Sequence, residues 1–249
     1  MKTILIVIAL CFAATASQAT RSRTLETRVA TLANQRVEVN GISGSRIVFR
    51  SWDRNEVYVR LSVSISSSDD RYEEAYVAGV AVDTSVTPGM VHLLFREPNG
   101  GERQGSWFSR IFGQFFVNKE ISGEVYVPRS SALSTDTKYG TVTLEEMAGS
   151  VDLFGVSNSL TLRKCSSVRR VENDYGTTRI DGCGGALQLK GSSSKVNVSD
   201  FSGSVEIDAD YSTVSVLRAT GDVTVTDQSG KITVDDVGGA ATLDANYSV

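Results

Sequence analysis

Apolar and polar residues alternate in a pattern that runs from about residue 136 to the end of the chain and returns with a period of about 18 residues. Three columns of inward-facing positions define this pattern, with Thr178 as their one polar member. The columns contain Val142, Leu160, Thr178, Val196, Val214 and Ile232; Leu144, Leu162, Ile180, Val198, Val216 and Val234; and Leu153, Val171, Leu189, Ile207, Val225 and Leu243. A period that no insertion interrupts predicts repeated units that bury a core only by stacking on one another.

Each unit contains at least two short strands. One polar residue separates the first two columns, as in Val142-Thr143-Leu144, and the third column follows nine positions later. A period of two points apolar side chains inward and polar side chains outward. Successive coils then stack in parallel about 4.8 Å apart, and a right-handed crossover is expected. The predicted fold is all-β, a single-stranded parallel β-solenoid with about 18 residues per coil.

One coil of this region departs from the pattern. Arg169, between Val168 and Arg170, occupies a position that is apolar in other coils, as at Val151, Leu187 and Val223. A strand that carries one residue more than its neighbours forms a bulge. The sequence therefore predicts a bulge or a register shift at Arg169.

The N-terminal region, residues 20–135, is a less regular β region that continues into the regular coils at 136–249. Apolar and polar residues alternate over 37–39, 47–49 and 57–65, which predicts strands. Their spacing favours an early, irregular part of the same solenoid. Residues 20–34 show only a weak pattern, so we expect a flexible lead-in there.

An insertion at 66–122 is expected to interrupt the N-terminal coils. Strands are predicted at 77–82 and 91–95, with a turn at Pro88-Gly89. Large apolar residues then recur in pairs at every fourth position, at Trp107, Phe108, Ile111, Phe112, Phe115 and Phe116. This spacing places them on one helical face, which favours a lid over the end of the stack. The alternatives are a surface for a partner or a membrane, or simple strand structure.

Residues 1–19 have the pattern of a cleaved signal peptide. Lys2 provides the positive start, residues 4–14 the apolar run, and Ser17-Gln18-Ala19 the small residues of a cleavage site. The apolar run is too short to span a bilayer comfortably, and no later segment is apolar enough to cross one. We expect an exported protein that is periplasmic, held at the outer surface or secreted.

The charge of the chain argues against a nucleic-acid partner. It has 25 basic and 29 acidic residues, a net charge of −4 at neutral pH, whereas nucleic-acid binding requires a basic face. Arg163-Lys164 and Arg169-Arg170 form at most a small basic patch and are otherwise a solvated face. The single histidine, His92, is remote from both cysteines of the mature chain. We expect no metal and no cofactor.

Those two cysteines, Cys165 and Cys183, are one period apart and therefore occupy the same position in adjacent coils. The column also contains Met147 and Phe201, so it faces the core. A separation of about 4.8 Å lies within the Cα range of a disulfide, and export would permit oxidation. Two buried thiols that act as small apolar fillers are the alternative.

Tyrosines recur in every second coil, at Tyr139, Tyr175, Tyr211 and Tyr247, and serine occupies the same position in the coils between them. Tyrosines two coils apart are suited to gripping sugar rings or an extended chain. Packing at a corner of the coil is the alternative explanation of this column.

Carboxylates form a third column of interest, because some right-handed solenoids cleave polysaccharides. Glu172, Asp208 and Asp244 lie two coils apart, about 9.6 Å by doubling the strand spacing, near the upper end of the ~6.5–9.5 Å typical of inverting glycosidases. Lys190 and Thr226 occupy the intervening coils. Charge carried by turns and outer faces is the favoured explanation of this column.

The sequence resembles the exported bacterial adhesin-like β-solenoid domains, which are related to auto-transporter-adhesin-like head domains. The resemblance rests on the alternating runs at 37–40 and 57–59, on Gly44 and Ile47, on the turn Trp52-Asp53, on the strand 125–128 that ends at Pro128, and on the repeat 137–142. It covers nearly all of the mature chain except a segment at about 97–116. The family's function is unknown, so the resemblance implies an adhesin-like role and no catalytic residues.

We therefore expect a non-catalytic, adhesin-like binding or scaffold module of the cell envelope, because stacked solenoids offer long flat faces to protein or glycan partners. A polysaccharide-active β-helix enzyme and a purely structural envelope protein are the alternatives. The pattern enters a new strand at Tyr247-Ser248-Val249, and an exposed strand edge invites pairing. Either this end docks onto a partner, including a second copy stacked end to end, or the sequence is a piece of a longer chain. The sequence leaves the oligomeric state open.

Overall fold

The computed structural model of the protein describes residues 20–32, 35–98 and 117–247. The expected signal peptide and the aromatic run 107–116 lie outside these ranges. The described elements are β1 (Arg21–Ala30), β2 (Arg36–Ser43), β3 (Arg46–Trp52), β4 (Glu56–Ser66), α1 (Asp70–Gly79), β5 (Ala81–Thr87), β6 (Met90–Arg96), β7 (Asn118–Pro128), β8 (Leu133–Lys138), β9 (Thr141–Glu145), β10 (Ser150–Val156), β11 (Ser159–Arg163), β12 (Ser167–Asp174), β13 (Thr177–Asp181), β14 (Gly184–Ser192), β15 (Lys195–Asp210), β16 (Thr213–Ala219), β17 (Val223–Asp227), β18 (Lys231–Val237) and β19 (Ala241–Ala245).

The strands form two sheets that run the length of a β-solenoid of about six turns, which confirms the predicted fold. Sheet A has the strand order β1-β4-β7-β3-β9-β11-β13-β15-β16-β18. Sheet B has the order β5-β6-β2-β8-β10-β12-β14-β15-β17-β19. The long strand β15 belongs to both sheets, because its first half pairs in sheet A and its second half in sheet B.

The columns predicted from the sequence are the register of the sheets. Leu160 pairs with Val142 on one side and with Thr178 on the other, and Leu189 pairs with Val171 and Ile207. These six side chains are all buried. Inward-facing rows from the two sheets therefore meet in one continuous apolar core.

The bulge predicted at Arg169 is confirmed. Val151 pairs with Val168, whereas the next residue, Asp152, pairs with Arg170, so the register shifts by one position at this point. Arg169 is the unpaired extra residue, and its guanidinium lies 2.5 Å from the Asp152 carboxylate.

The N-terminal end of the stack is closed by antiparallel strands and a helix. The expectation of a flexible lead-in at 20–34 was wrong for residues 21–30, which form β1 and pair along their whole length with β4. Helix α1 begins after Asp69, whose carboxylate accepts hydrogen bonds from the backbone amides of Arg71 and Tyr72. Its buried side chains Tyr76 and Val77 join the core.

The predicted strand at 77–82 was also wrong, since its first three residues end α1 and only its last two begin β5. The strand at 91–95 and the turn at Pro88-Gly89 are confirmed, because β5 and β6 form an antiparallel hairpin. Strands β6 and β7 lie in parallel against β2 and β3. Thus a coil that comes later in the chain stacks below the first coil.

The other end of the stack is formed by β18 and β19, where Leu243 is 52% exposed. Each of these two strands has a single paired neighbour among the described strands. Within 20–32, 35–98 and 117–247, no helix is long and apolar enough to cross a membrane.

Candidate binding site at the tyrosine corner

Most regular coils turn from sheet B into sheet A at one left-handed residue, although the turn at Ser229 lacks it. The turn residues with φ between 52° and 58° are Tyr139, Ser157, Tyr175, Ser193 and Tyr211, and Tyr247 follows with the same φ of 57°. We call this line of residues the tyrosine corner. The backbone amides of Tyr139 and Tyr175 donate to the carbonyls of Val156 and Ser192 in the next coil, at 3.1 and 2.9 Å. The position of these tyrosines is therefore fixed by the stack.

A buried polar network holds the inner side of this corner. The side chain of Asn158 accepts a hydrogen bond from the Gly140 amide at 2.9 Å and donates to the Thr137 carbonyl at 2.8 Å. The Asn173 side chain accepts from the Asn158 amide and donates back to the Asn158 carbonyl, at 3.1 Å each. In later coils Ser194 takes the place of Asn158, with its hydroxyl 2.7 Å from the Asn173 carbonyl. These bonds satisfy the backbone groups that the sharp turn removes from the sheets.

The tyrosine side chains are mostly exposed. Tyr139, Tyr175 and Tyr211 are 66–68% exposed and Tyr247 is 96% exposed, so packing at the corner covers only the smaller part of each residue. A bulky residue in the left-handed region costs roughly 1–2 kcal/mol, which glycine would avoid. Strain of this kind is concentrated at functional sites. The tyrosines thus combine a strained backbone position with a mostly exposed side chain.

Spacing keeps these rings from contacting one another. Tyrosines two coils apart are separated by about 9.6 Å, twice the strand spacing, with Ser157 or Ser193 between them. Among the described residues, no ring contact involves Tyr139, Tyr175 or Tyr211. Aromatic rings that are exposed at a fixed interval are suited to stacking against successive units of a linear ligand.

The structure contains a second aromatic group, which the sequence analysis did not identify. Its rings contact one another and are covered by arginine side chains. The rings of Trp52, Tyr58 and Tyr126 lie on the outer side of neighbouring strands of sheet A, with centroids 5.1–6.0 Å apart. Arg28 covers the Tyr58 ring at 4.2 Å and Arg54 covers the Trp52 ring at 5.0 Å. The signal in the sequence was an aromatic residue at a polar, outward position of two strands. Their pairing could not be predicted, because β4 and β7 are separated by the irregular segment.

A charged corner closes the opposite edge of sheet A with the same left-handed backbone. Its members with φ between 52° and 60° are Glu146, Lys164, Gly182, Asp200, Arg218 and Asp236. Lys164 lies 3.8 Å from Glu146, and Arg218 makes two bonds to Asp200 at 2.6 and 2.8 Å. The hydrogen bonds from Arg218 hold the pKa of the Asp200 carboxyl below its ordinary value.

Cys165 and Cys183 lie behind this charged corner, in the inward column predicted for them. Both are buried thiols in the structure, and the Cys165 amide donates to the Cys183 sulfur at 3.3 Å. The hydrogen bond with Cys183 and burial both raise the pKa of the Cys165 thiol, which makes it a poor nucleophile. A disulfide between the two remains a prediction.

The carboxylate column is present as a register row on the outer face of sheet B. Glu172 pairs with Lys190, Lys190 with Asp208, Asp208 with Thr226, and Thr226 with Asp244. The Lys190 amine lies 3.9 Å from the Asp208 carboxylate, and Asp208 is exposed. The row provides an ion pair on a solvated strand and no enclosed pair of acids.

No family model matches the chain, and no curated protein matches it either. Among solved structures, the chain is similar to a candidate cell adhesion protein from Clostridium sporogenes, with 11% identity, a TM-score of 0.34, and coverage of 92% of this chain and 100% of that one. A candidate adhesin from Parabacteroides merdae has 8% identity, a TM-score of 0.25, and coverage of 90% and 96%. A candidate lipid-binding protein from Parabacteroides distasonis has 14% identity, a TM-score of 0.26, and the same coverage.

Proposed function

We propose that the protein is a non-catalytic, adhesin-like binding module of the bacterial envelope and that the tyrosine corner is its ligand-binding surface. One observation carries the proposal. Tyr139, Tyr175 and Tyr211 are about two-thirds exposed at a strained backbone position, where their rings contact no other ring of the described chain. The envelope location and the relationship to adhesin-like domains are part of the same proposal.

The ligand that fits best is an extended glycan chain. The interval of about 9.6 Å between tyrosines is close to the length of a disaccharide unit of an extended β-linked glycan. Most outward residues in the first row of sheet A beside the corner carry hydroxyl groups, and the row contains Thr141, Ser159, Thr177, Lys195, Thr213 and Lys231. Sugars would stack on the tyrosines while their hydroxyl groups exchange hydrogen bonds with this row.

Replacing tyrosine by the serine of the alternate coils provides a direct test. In the variant Tyr139→Ser/Tyr175→Ser/Tyr211→Ser the corner keeps its backbone, since Ser157 and Ser193 already adopt the same φ. We expect loss of binding to a panel of envelope polysaccharides and an unchanged fold by circular dichroism. With stacking worth roughly 0.5–1.5 kcal/mol per ring, three rings amount to a loss of at least about tenfold in affinity.

The matched control is Leu32→Ser/Val86→Ser, which removes two exposed apolar side chains away from the corner, 63% and 54% exposed. This variant should bind like the wild type. Equal binding by the wild type and the triple variant would exclude the tyrosine corner as the site. Conversion of a bound polysaccharide to shorter products would instead support the enzyme alternative. If the wild-type protein bound no polysaccharide of the panel, a purely structural role would be favoured.

A further inference from the structure

A cleft lies beside the bulge at Arg169, on the outer face of sheet B. The cleft has a volume of about 710 Å³, which is within the usual range of ligand sites. Its floor contains the small residues Ala186 and Ser204, which are register partners in β14 and β15. Arginines form one wall, and the carboxylates of Glu206 and Asp222 form the other.

The arginine wall carries more positive charge than its own acid can balance. Arg169 and Arg36 converge on one oxygen of Asp152, at 2.5 and 3.9 Å, and Asp152 is buried beneath them. Arg170 faces the same cleft and lies over the Phe154 ring at 6.0 Å. Among the described residues, no carboxylate comes within ion-pair distance of its guanidinium. Arg170 is therefore a fixed cation that is available to an anion from solution.

The opposite wall presents acceptors. Glu206 receives one hydrogen bond from Gln188 at 3.3 Å, and Asp222 receives one from the Ala240 amide at 2.8 Å. A carboxylate has lone pairs for about four hydrogen bonds, so both side chains retain free acceptor positions. A ligand that fills the cleft must combine one anionic group with several hydrogen-bond donors. A polyanion without donors would be repelled by the second wall.

We propose that this cleft binds an acidic saccharide, with the carboxylate of a hexuronic acid unit on Arg170 and the sugar hydroxyl groups on Glu206 and Asp222. Arginine binds carboxylates through two parallel hydrogen bonds, and its position against Phe154 holds the guanidinium in place. The Asp152–Arg169 ion pair fixes the bulge that forms the wall. The cleft lies on sheet B, so this proposal holds or fails independently of the tyrosine corner.

The test uses the full chain and tetragalacturonic acid as the probe, in titration calorimetry at low salt. We expect Arg170→Gln to weaken binding by about tenfold or more, the size of one charged hydrogen bond. The methyl ester of the same tetrasaccharide lacks the carboxylate charge, so the wild type should bind it more weakly than the acid by a similar factor. Arg170→Gln should bind the ester no more weakly than it binds the acid. The matched control is Arg179→Gln, which removes the same charge from an outward position of sheet A and should change nothing.

A second variant tests the cleft without a change of charge. Ala186→Tyr places a ring on the exposed floor and should also weaken binding of the acid, while the melting temperature shows that the fold is kept. Equal losses from Arg170→Gln and Arg179→Gln would show attraction by overall charge and would overturn the proposal. So would equal affinity for the acid and its ester, undiminished binding by Ala186→Tyr, or no binding of the probe at all.

Discussion

The two corners of sheet A share one backbone conformation and use it in opposite ways. At the charged corner, side chains of adjacent coils neutralise each other, as Arg218 does with Asp200. At the tyrosine corner, the members with large side chains are two coils apart and do not meet, with a serine between them. Neighbours one strand apart thus satisfy each other, whereas neighbours two strands apart leave a gap, which is where we propose that a ligand binds. On this proposal the period of a column, and not only its residue type, distinguishes a column that stabilises the fold from one that binds a partner.

The corners differ equally on their inner sides. Behind the charged corner lies an apolar column that contains Met147, Cys165, Cys183 and Phe201, all buried. Behind the tyrosine corner lies the amide and hydroxyl network of Asn158, Asn173 and Ser194. The inner side of the charged corner is therefore stabilised by apolar packing. The inner side of the tyrosine corner is stabilised by hydrogen bonds between side chains and the backbone of the turn.

The largest effect is expected from a disulfide between Cys165 and Cys183, which would make the charged corner the more strongly tied of the two. Closing a loop of this length stabilises a protein by about 3 kcal/mol in the loop-entropy account. We expect exported protein, denatured without reductant, to contain no thiol that reacts with a labelling reagent. Labelling at both cysteines would leave them as the free apolar fillers of the structure.

Removal of the Asn158 side chain tests the inner side of the tyrosine corner. Asn158→Ala leaves the Gly140 amide and the Thr137 carbonyl without their bonds, and we expect a loss of about 2 kcal/mol in the free energy of unfolding. Urea denaturation measures it. The control is Thr161→Ala, an outward position of the same coil, which should change the free energy little. An equal midpoint for the two variants would contradict the role given to the network.

Glycine at the tyrosine corner should stabilise the protein while it removes a ring that we propose binds the ligand. Tyr175→Gly relieves the left-handed strain at φ 56°, and we expect a gain of about 1 kcal/mol. At the charged corner, Asp200→Gly also loses the bonds from Arg218, so its melting temperature should rise less than that of Tyr175→Gly. If Tyr175→Gly destabilised the protein, the ring would have a structural contact, and the case for a ligand there would fail.

The smallest effect is a pH dependence confined to the charged corner. Because hydrogen bonds from Arg218 lower the pKa of the Asp200 carboxyl, the stabilisation is present above the ordinary pKa of aspartate. It is lost as the pH falls through the lowered pKa of the folded state. A carboxyl titration by NMR should show that the pKa of Asp200 lies below the usual range of aspartate. In Arg218→Gln this pKa should return to the usual range. If the pKa of Asp200 did not change in Arg218→Gln, the ion pair with Arg218 would not be the cause of the lowered pKa.

The regular coils were predictable from the sequence because every member of a column has the same environment. The same inward position recurs in six coils and is apolar in Leu144 as in Val198, and the departure at Arg169 marked the bulge. The tyrosine column was found in the same way, although its exposure was not, since a turn residue can point either way. The cleft beside Arg170 required knowledge of which small side chains form its floor.

The N-terminal end was not predictable, because its elements depend on partners far away in the chain. Strand β1 has only two partly or fully buried apolar positions, Leu25 and Val29, and is held by β4 instead of by its own pattern. Helix α1 follows a capping aspartate, Asp69, which was a readable signal. The apolar spacing around Val77 nevertheless favoured a strand, and tertiary packing on β1 and β4 decided the outcome.

The strand order has a consequence for assembly. The coil of β2 and β3 comes first in the chain, yet it lies between the coil of β6 and β7 and the coil of β8 and β9. It is therefore a template with two edges. The antiparallel strands and α1 close one of them, and all of these elements precede residue 129. The regular coils are left with a single edge to extend, and each coil completes the edge on which the next one pairs.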